Sequence, residues 1–146
     1  MTTGHASAPS RRLRTALPVT AAVLTLAACS STLPKPQLTR LQRTTATQAH
    51  VFLTSRAYED QVARSLVIAQ PGIPPSAAEA TAHVGVEANK QTPASAYRCT
   101  TVGGVNGVHQ RFSCLAPLAG GGAITATATC NTKTTVCFAW RVATPS

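Results

Sequence analysis

Four cysteines crowd into the last third of the chain, and their positions constrain its fold more than any other feature. Cys99, Cys114, Cys130 and Cys137 lie in the segments 96–102, 109–115, 123–131 and 135–142. These segments are short and carry Thr, Val and aromatic residues, which suit a pleated, half-buried surface. Turn-prone residues separate them: Gly103-Gly104-Val105-Asn106-Gly107, then 119–122, then Thr132-Lys133-Thr134. The spacing predicts a four-stranded antiparallel meander. If each neighbouring pair folds about the middle of its turn, Cys99 falls opposite Cys114, Cys114 opposite Cys130, and Cys130 opposite Cys137. Directly opposed residues in such a pair sit about 4.5 to 5.5 Å apart, inside the span of a disulfide. Pairing Cys99 with Cys114 and Cys130 with Cys137 uses nearest neighbours only. Pairing Cys114 with Cys130 would strand the other two on opposite edges.

One pattern resists this arrangement. Tyr97, Cys99, Phe112, Cys114, Ile124, Ala126, Ala128 and Cys130 share one face, but Val136, Phe138, Trp140 and Val142 alternate against Cys137. A slip of one residue exchanges the faces of a strand. Three readings remain open: a bulge in the last hairpin, partial cover on both faces, or a wrong pairing of Cys130 with Cys137.

Upstream the period changes. From about Gln48 to Ala69, Val51, Tyr58, Val62, Leu66 and Ala69 recur at helical spacing, with Arg56, Glu59, Asp60 and Arg64 largely on other faces. Gln70-Pro71-Gly72 ends that helix, because proline lacks an amide donor and disfavours helical geometry in the residue before it. Ile73-Pro74-Pro75 reads as a rigid turn. Ser76-Ala77-Ala78-Glu79 has capping-box spacing, which predicts a short helix from Ala77 to about His83. The stretch 83–88 reads either as more helix or as an edge strand. The predicted fold class is α+β, an N-terminal helix or helices packed on a small four-stranded meander braced by disulfides.

The amino end places this domain in the cell. Arg11, Arg12 and Arg14 precede a 13-residue apolar run, 16–28, that closes in Leu26-Ala27-Ala28-Cys29. A bilayer span needs roughly 20 apolar residues, so this run is too short to be one. A basic cluster, a short apolar core and small residues at its end fit a secretory signal. The segment resembles the precursors of bacterial lipoproteins, whose lipobox is a Leu, two small residues and a Cys. The resemblance covers only the first 30 residues or so. It implies a diacylglyceryl thioether on the Cys29 thiol, cleavage before Cys29, and acylation, for example by palmitate, of the freed amine. Ser10-Arg11-Arg12 is similar to a twin-arginine signal, but Arg14 stands where that pattern prefers an apolar residue, which favours the general secretory route. The expected organisation is 1–28 signal peptide, 29–47 lipid anchor and flexible tether, and 48–146 the domain, helical over 48–92 and β-rich over 96–142; the Thr-, Arg- and Gln-rich stretch 39–47 reads either as tether or as the first turns of a helix. The expected location is the extracytoplasmic side of the cell membrane, or an outer membrane where one exists. Four cysteines beyond Cys29, an even number in an exported chain, read as a disulfide framework.

Charge and composition bound the chemistry. Beyond residue 28 the chain has ten Lys and Arg against Glu59, Asp60, Glu79 and Glu87, a net +6. Such a surface is drawn to anionic head groups or anionic wall polymers. The basic residues are scattered, with few aromatics among them for base stacking, and export removes the chain from nucleic acid. No Cys-x-x-Cys pair supports a metal site, so Cys99, His109 and Cys114 are not read as ligands, and no cofactor is expected. Glu59 and Asp60 are adjacent and point about 100° apart on a helix, which does not make an acid and base pair. There is no Gly-x-Ser-x-Gly elbow, no phosphate loop and no His-Glu-x-x-His, and Gly120-Gly121-Gly122 is a hairpin turn. His50, His83 and His109 read as ordinary surface residues. The expected function is non-catalytic: binding a partner or serving an assembly at the membrane surface. An inhibitor or immunity protein against a toxin or wall hydrolase, plugging its target with loop 103–107 or 119–122, is the alternative, and an envelope hydrolase is a second.

Overall fold

The computed structural model describes residues 32–143, so the leader and Cys29 lie outside the described residues. Three helices precede the sheet: α1 (Lys35–Leu53), α2 (Arg56–Ala69) and α3 (Pro75–Lys90). A short 3-10 turn at Ala94–Ala96 leads into β1 (Arg98–Asn106), β2 (His109–Pro117), β3 (Ala123–Asn131) and β4 (Cys137–Val142). The strands form one open antiparallel sheet in the order β1-β2-β3-β4, the α+β meander expected from the sequence.

The expected flexible tether over 29–47 is corrected from Lys35 onward: α1 starts there with Pro34 as its N-cap and Pro36 in its first turn, where an amide donor is not needed. Its buried stripe of Leu41, Thr45, Ala49 and Leu53 follows a spacing of four, but two of those residues are small and one is polar. That is why hydrophobic periodicity does not expose it. Small residues let the helix axis lie close over the sheet, and α1 touches β1, β2 and β4.

The helix expected over 48–69 is two helices. Thr54 and Ser55 interrupt it, the Ser55 hydroxyl donating to the Phe52 carbonyl at 2.6 Å and accepting from the Tyr58 amide at 3.4 Å. The break resets the phase, so Val51 is exposed while Tyr58 is buried and Val62 packs on the core. The expected stop at Gln70-Pro71-Gly72 is present, with Gly72 at φ +106°.

The third helix is longer than the short element expected over 77–83, and the edge-strand alternative is overturned. It starts at Pro75, has no side-chain cap, and carries Ser76 inside its first turn. Ala78, Ala82, Val86 and Asn89 bury one narrow face. The Asn89 amide donates to the Leu53 carbonyl at 3.0 Å, binding the end of α3 to the end of α1. A helical ladder with this tertiary support outweighs the weak alternation that suggested a strand.

Two irregularities shape the sheet. The sequence placed a turn at Gly103–Gly107, but β1 continues to Asn106 and the turn itself is Gly107-Val108. The register slips between Val102 and Asn106, Gly103 takes φ +70°, and the buried Gln110 amide donates to the Gly103 carbonyl at 3.2 Å. In β4, Thr129 pairs with Phe138 and Thr127 with Arg141, so Ala139 and Trp140 together stand opposite Ala128. Ala139 has φ +55°. This bulge resolves the conflict over faces: Cys137 points inward, Phe138 outward, and beyond the bulge Trp140 and Val142 return to the core side. The Trp140 ring then stacks on Phe52, centroids 5.5 Å apart.

Candidate functional site

Both predicted cysteine pairs close. Cys99 bonds Cys114 and Cys130 bonds Cys137, with sulfurs 2.05 and 2.06 Å apart. They sit on the helix-facing side of the sheet. Above the second, the buried Thr45 hydroxyl donates to the Leu41 carbonyl at 2.7 Å and rests 3.5 and 3.6 Å from the Cys130 and Cys137 sulfurs. With both sulfurs in disulfides, the trio Cys99, His109 and Cys114 has no thiolate to offer a metal, and among the described residues no group of three His, Cys, Asp or Glu side chains converges. Cys29, the expected lipidation site, lies outside the described residues.

The ionisable residues make surface pairs. Glu59 Oε2 lies 3.4 Å from His83 Nδ1, Asp60 lies 3.9 Å from Arg56, and Lys90 donates to Glu87 at 2.6 Å. The Lys90 hydrogen bond holds the Glu87 carboxyl below the usual carboxylate range. His50 Nδ1 is 3.4 Å from the Tyr97 hydroxyl, and His109 meets the Phe138 ring edge-on at 5.6 Å. Glu59 and Asp60 have different partners, as their adjacency on a helix requires. Burial raises the Tyr58 and Tyr97 phenols above the ordinary tyrosine value, the Asn89 hydrogen bond opposing this at Tyr58 and the charge of Tyr58 adding to it at Tyr97.

Among the described residues, shallow recesses open on the surface at two places that concern the site. One, of about 310 Å³, lies at the far end of the α2–α3 pair between Val67, Ile68 and Pro75, rimmed by Arg64 and Glu79. The other, of about 430 Å³, lies between the first turns of α1 and the β3–β4 turn, lined by Pro36, Gln37, Arg40, Thr132 and Lys133.

A further candidate surface is the sheet face turned away from the helices. The pairings set Thr100, Ser113, Thr127 and Arg141 in one row across four strands, with Val102, Arg111, Thr129 and Phe138 in the next. Arg98, Leu115 and Thr125 complete a third. The Arg98 guanidinium folds back to donate to the Ser95 and Tyr97 carbonyls. Arg111 and Arg141 are exposed, and no carboxylate of the described residues lies within salt-bridge distance of either. Arginines stand beside hydroxyls on this face, with every Asp and Glu of the chain on α2 and α3, so its side chains have the donor chemistry that suits anionic oxygens rather than cations.

The individual arginines gave no sequence signal, being scattered along the chain. Their common face was encoded in the Thr-x-Thr-x-Thr alternation of Thr125, Thr127 and Thr129 against Ala126, Ala128 and Cys130, which marks one side of the sheet as polar. The glutamines that hold β4 carried no signal, because an amide finds its partner only in three dimensions. Gln48 and Gln61 each bridge a carbonyl and an amide of that region. Among the described residues no helix is long and apolar enough to cross a membrane. No family model, curated protein or solved structure matches the chain, which leaves its own geometry as the guide to function.

Proposed function

We propose that the protein is a small exported lipoprotein, held by lipid on Cys29 at the extracytoplasmic membrane surface, with a non-catalytic role in binding an anionic partner of the cell envelope. The observation that carries this reading is the pair of closed disulfides in a chain whose residues 26–29, Leu-Ala-Ala-Cys, resemble a lipobox. Structural disulfides persist in oxidising compartments and are rare in a reducing cytosol, so the sulfur chemistry of the domain and the leader point to the same place. The uncovered sheet face, with Arg111 and Arg141 beside Thr127 and Thr129, is the surface offered to that partner. The surface pairs of Glu59, Asp60 and His83, with Glu87 4.0 Å from the second ring nitrogen of His83, line neither recess, which supports binding over catalysis.

The test is metabolic labelling with an alkyne fatty acid and intact-mass analysis of the mature protein. The wild-type chain incorporates label and begins at Cys29, while Cys29→Ala accumulates as unlabelled precursor. Labelling that survives Cys29→Ala, or a mature protein that begins upstream of residue 29, refutes the assignment. One acyl chain gives marginal residence on a membrane and two or more hold it stably, so washing membranes in salt and then in detergent reports the same chemistry independently.

A further inference from the structure

The charge of the domain is polarised along α1, and the basic end is the end that the anchor reaches. Five residues, 30–34, separate Cys29 from Lys35, and a fully extended chain of that length spans about 20 Å. The start of α1 is therefore confined near any bilayer that holds Cys29. The same end of the molecule carries the β1–β2 and β3–β4 turns. The Gln37 amide donates to the Thr132 carbonyl at 3.3 Å, and the Thr132 amide donates to the Val108 carbonyl at 2.8 Å. Lys35, Arg40 and Lys133 gather there, Arg40 and Lys133 on opposite sides of the 430 Å³ recess. No carboxylate of the described residues lies within salt-bridge distance of any of the three. Val136 and Phe138 are exposed beside that turn, 57% and 45% accessible. All four carboxylates belong to α2 and α3, which join the domain at the other end of α1 through Ser55 and through the Asn89 bond to Leu53.

From this we infer that the domain docks its anchor-proximal end on an anionic phospholipid surface through Lys35, Arg40 and Lys133, with Val136 at the head-group boundary, so that α2 and α3 face away from the membrane. The inference rests on the lipid-anchored reading. It adds an orientation, which a tether alone does not supply. A surface cation gains only within about a Debye length of the leaflet, about 8 Å at physiological salt, so the short connection is what brings these three into range. α2 and α3 carry Arg56, Arg64 and Lys90 against Glu59, Asp60, Glu79 and Glu87, a net of −1, so that end gains nothing from the leaflet, and the three cations at the other end, with no carboxylate beside them, select the pose. The recess between Arg40 and Lys133 suits a phosphate oxygen cluster, which accepts from both side chains at once.

The experiment uses the full-length mature, lipidated protein reconstituted in vesicles, either equimolar phosphatidylglycerol and phosphatidylcholine or phosphatidylcholine alone, followed by hydrogen exchange. Peptides covering 35–41 and 131–136 exchange about fivefold more slowly on the anionic vesicles, since one surface cation beside an anionic leaflet contributes about a factor of five. That protection disappears in about 1 M salt, where the Debye length is about 3 Å, and in the triple variant Lys35→Gln, Arg40→Gln, Lys133→Gln. Arg56→Gln with Arg64→Gln, on α2, leaves it intact. Equal protection on both vesicles, protection of 59–87 instead, or equal protection by soluble polyphosphate added to the neutral vesicles overturns the inference. The salt arm uses the unsubstituted chain and stands even if the triple variant misfolds. Intact mass reads the lipid separately: an anchored protein without anion-dependent protection defeats the docking pose alone, and a protein without lipid defeats the functional reading.

Discussion

Gln48→Ala is the substitution that best tests how this small sheet protects its edge. β4 is the last strand of an open sheet, and an uncovered edge presents unpaired amides and carbonyls that invite another chain. Gln48, projecting from α1, donates from Nε2 to the Thr135 carbonyl at 2.6 Å and accepts at Oε1 from the Cys137 amide at 2.8 Å. Carbonyl of one residue and amide of the second residue along are the two groups that a neighbouring strand would engage, so one side-chain amide stands in for a fifth strand. Each hydrogen bond contributes about 1 kcal/mol net, and a partly buried group left without a partner costs about 1 to 3 kcal/mol. Truncation to Ala removes both bonds and frees both backbone groups, which gives an expected loss of about 2 kcal/mol in urea unfolding with the slope unchanged. Gln48→Glu discriminates further. It keeps an acceptor for the Cys137 amide but sets a carboxylate oxygen against the Thr135 carbonyl, so it costs at least as much as Ala despite its closer shape. The corresponding bonds of Gln61, to the Trp140 carbonyl at 3.5 Å and from the Val142 amide at 3.2 Å, are longer, and Gln61→Ala costs about 1 kcal/mol. A loss under about 0.5 kcal/mol for Gln48→Ala, or Gln48→Glu behaving as wild type, refutes the edge-mimic reasoning.

Other expectations follow from the same contacts. Replacing Cys99 and Cys114 together by Ala costs about 3 kcal/mol and replacing Cys130 and Cys137 about 2 kcal/mol, because sequence separations of 15 and 7 residues close loops of different entropy; paired urea titrations check the ranking. Ala139→Gly stabilises by about 1 kcal/mol, since Ala139 sits at φ +55°, a region where a side chain is strained and glycine is not; a fall in denaturation midpoint counts against the bulge. Stability also declines above about pH 10. The Tyr58 and Tyr97 phenols are raised by burial, so above the ordinary tyrosine value the folded state holds protons that the unfolded state has lost, and rising pH favours unfolding. Tyr58→Phe lessens that decline between urea titrations at about pH 9 and about pH 11, and an unchanged slope contradicts the assignment.

The arrangement has a physical economy that suits a chain of this size. The core of this domain is small, and cross-links that reduce the entropy of the unfolded chain add to its stability. The inner face shows how small the core is. Phe112 is the one large side chain of the strands with no exposure, and its neighbours Cys114, Ala126 and Ala128 are small. Thr45 and Ala49 on α1 match them, so helix and sheet meet closely over the sulfurs. The outer face is thereby left free of structural duty. Its arginines and hydroxyls face away from the helices, which is why that face carries the proposed partner surface.

Much of this was legible along the chain. Residues 123–131 were read as a strand with the bounds the structure gives, because Thr and Ala alternate there without interruption. The cysteine pairing was legible for the same reason, since a period of two sets which residues oppose one another once the turns are placed. The helices were less legible. Hydrophobic pattern finds large apolar residues at helical spacing, and α1 buries Thr45, Ala46 and Ala49 instead. Its first turns were therefore assigned to a tether, with a helix over 39–47 left open. The outer-face arginines and the glutamine bridges were not legible at all, since Arg111 and Arg141 become neighbours on one surface only after three strands are laid side by side.

Alternation, turn residues and cysteine spacing, all local properties, determined the meander and its two cross-links, because strand pairing follows a period that any stretch of chain carries within itself. Tertiary structure alone decided where Trp140 points. The inward demand of Cys137 and the inward demand of Trp140, three residues apart, cannot both be met by a regular strand, and only the packing of Phe52 against the sheet makes the extra residue at Ala139 worth its strain. The polarity of the molecule arose in the same way. Basic and acidic residues are mixed along the sequence, and it is the turn at Ser55 and the closing of α3 onto the end of α1 that put the carboxylates on one part of the domain and left Lys35, Arg40 and Lys133 together at the other.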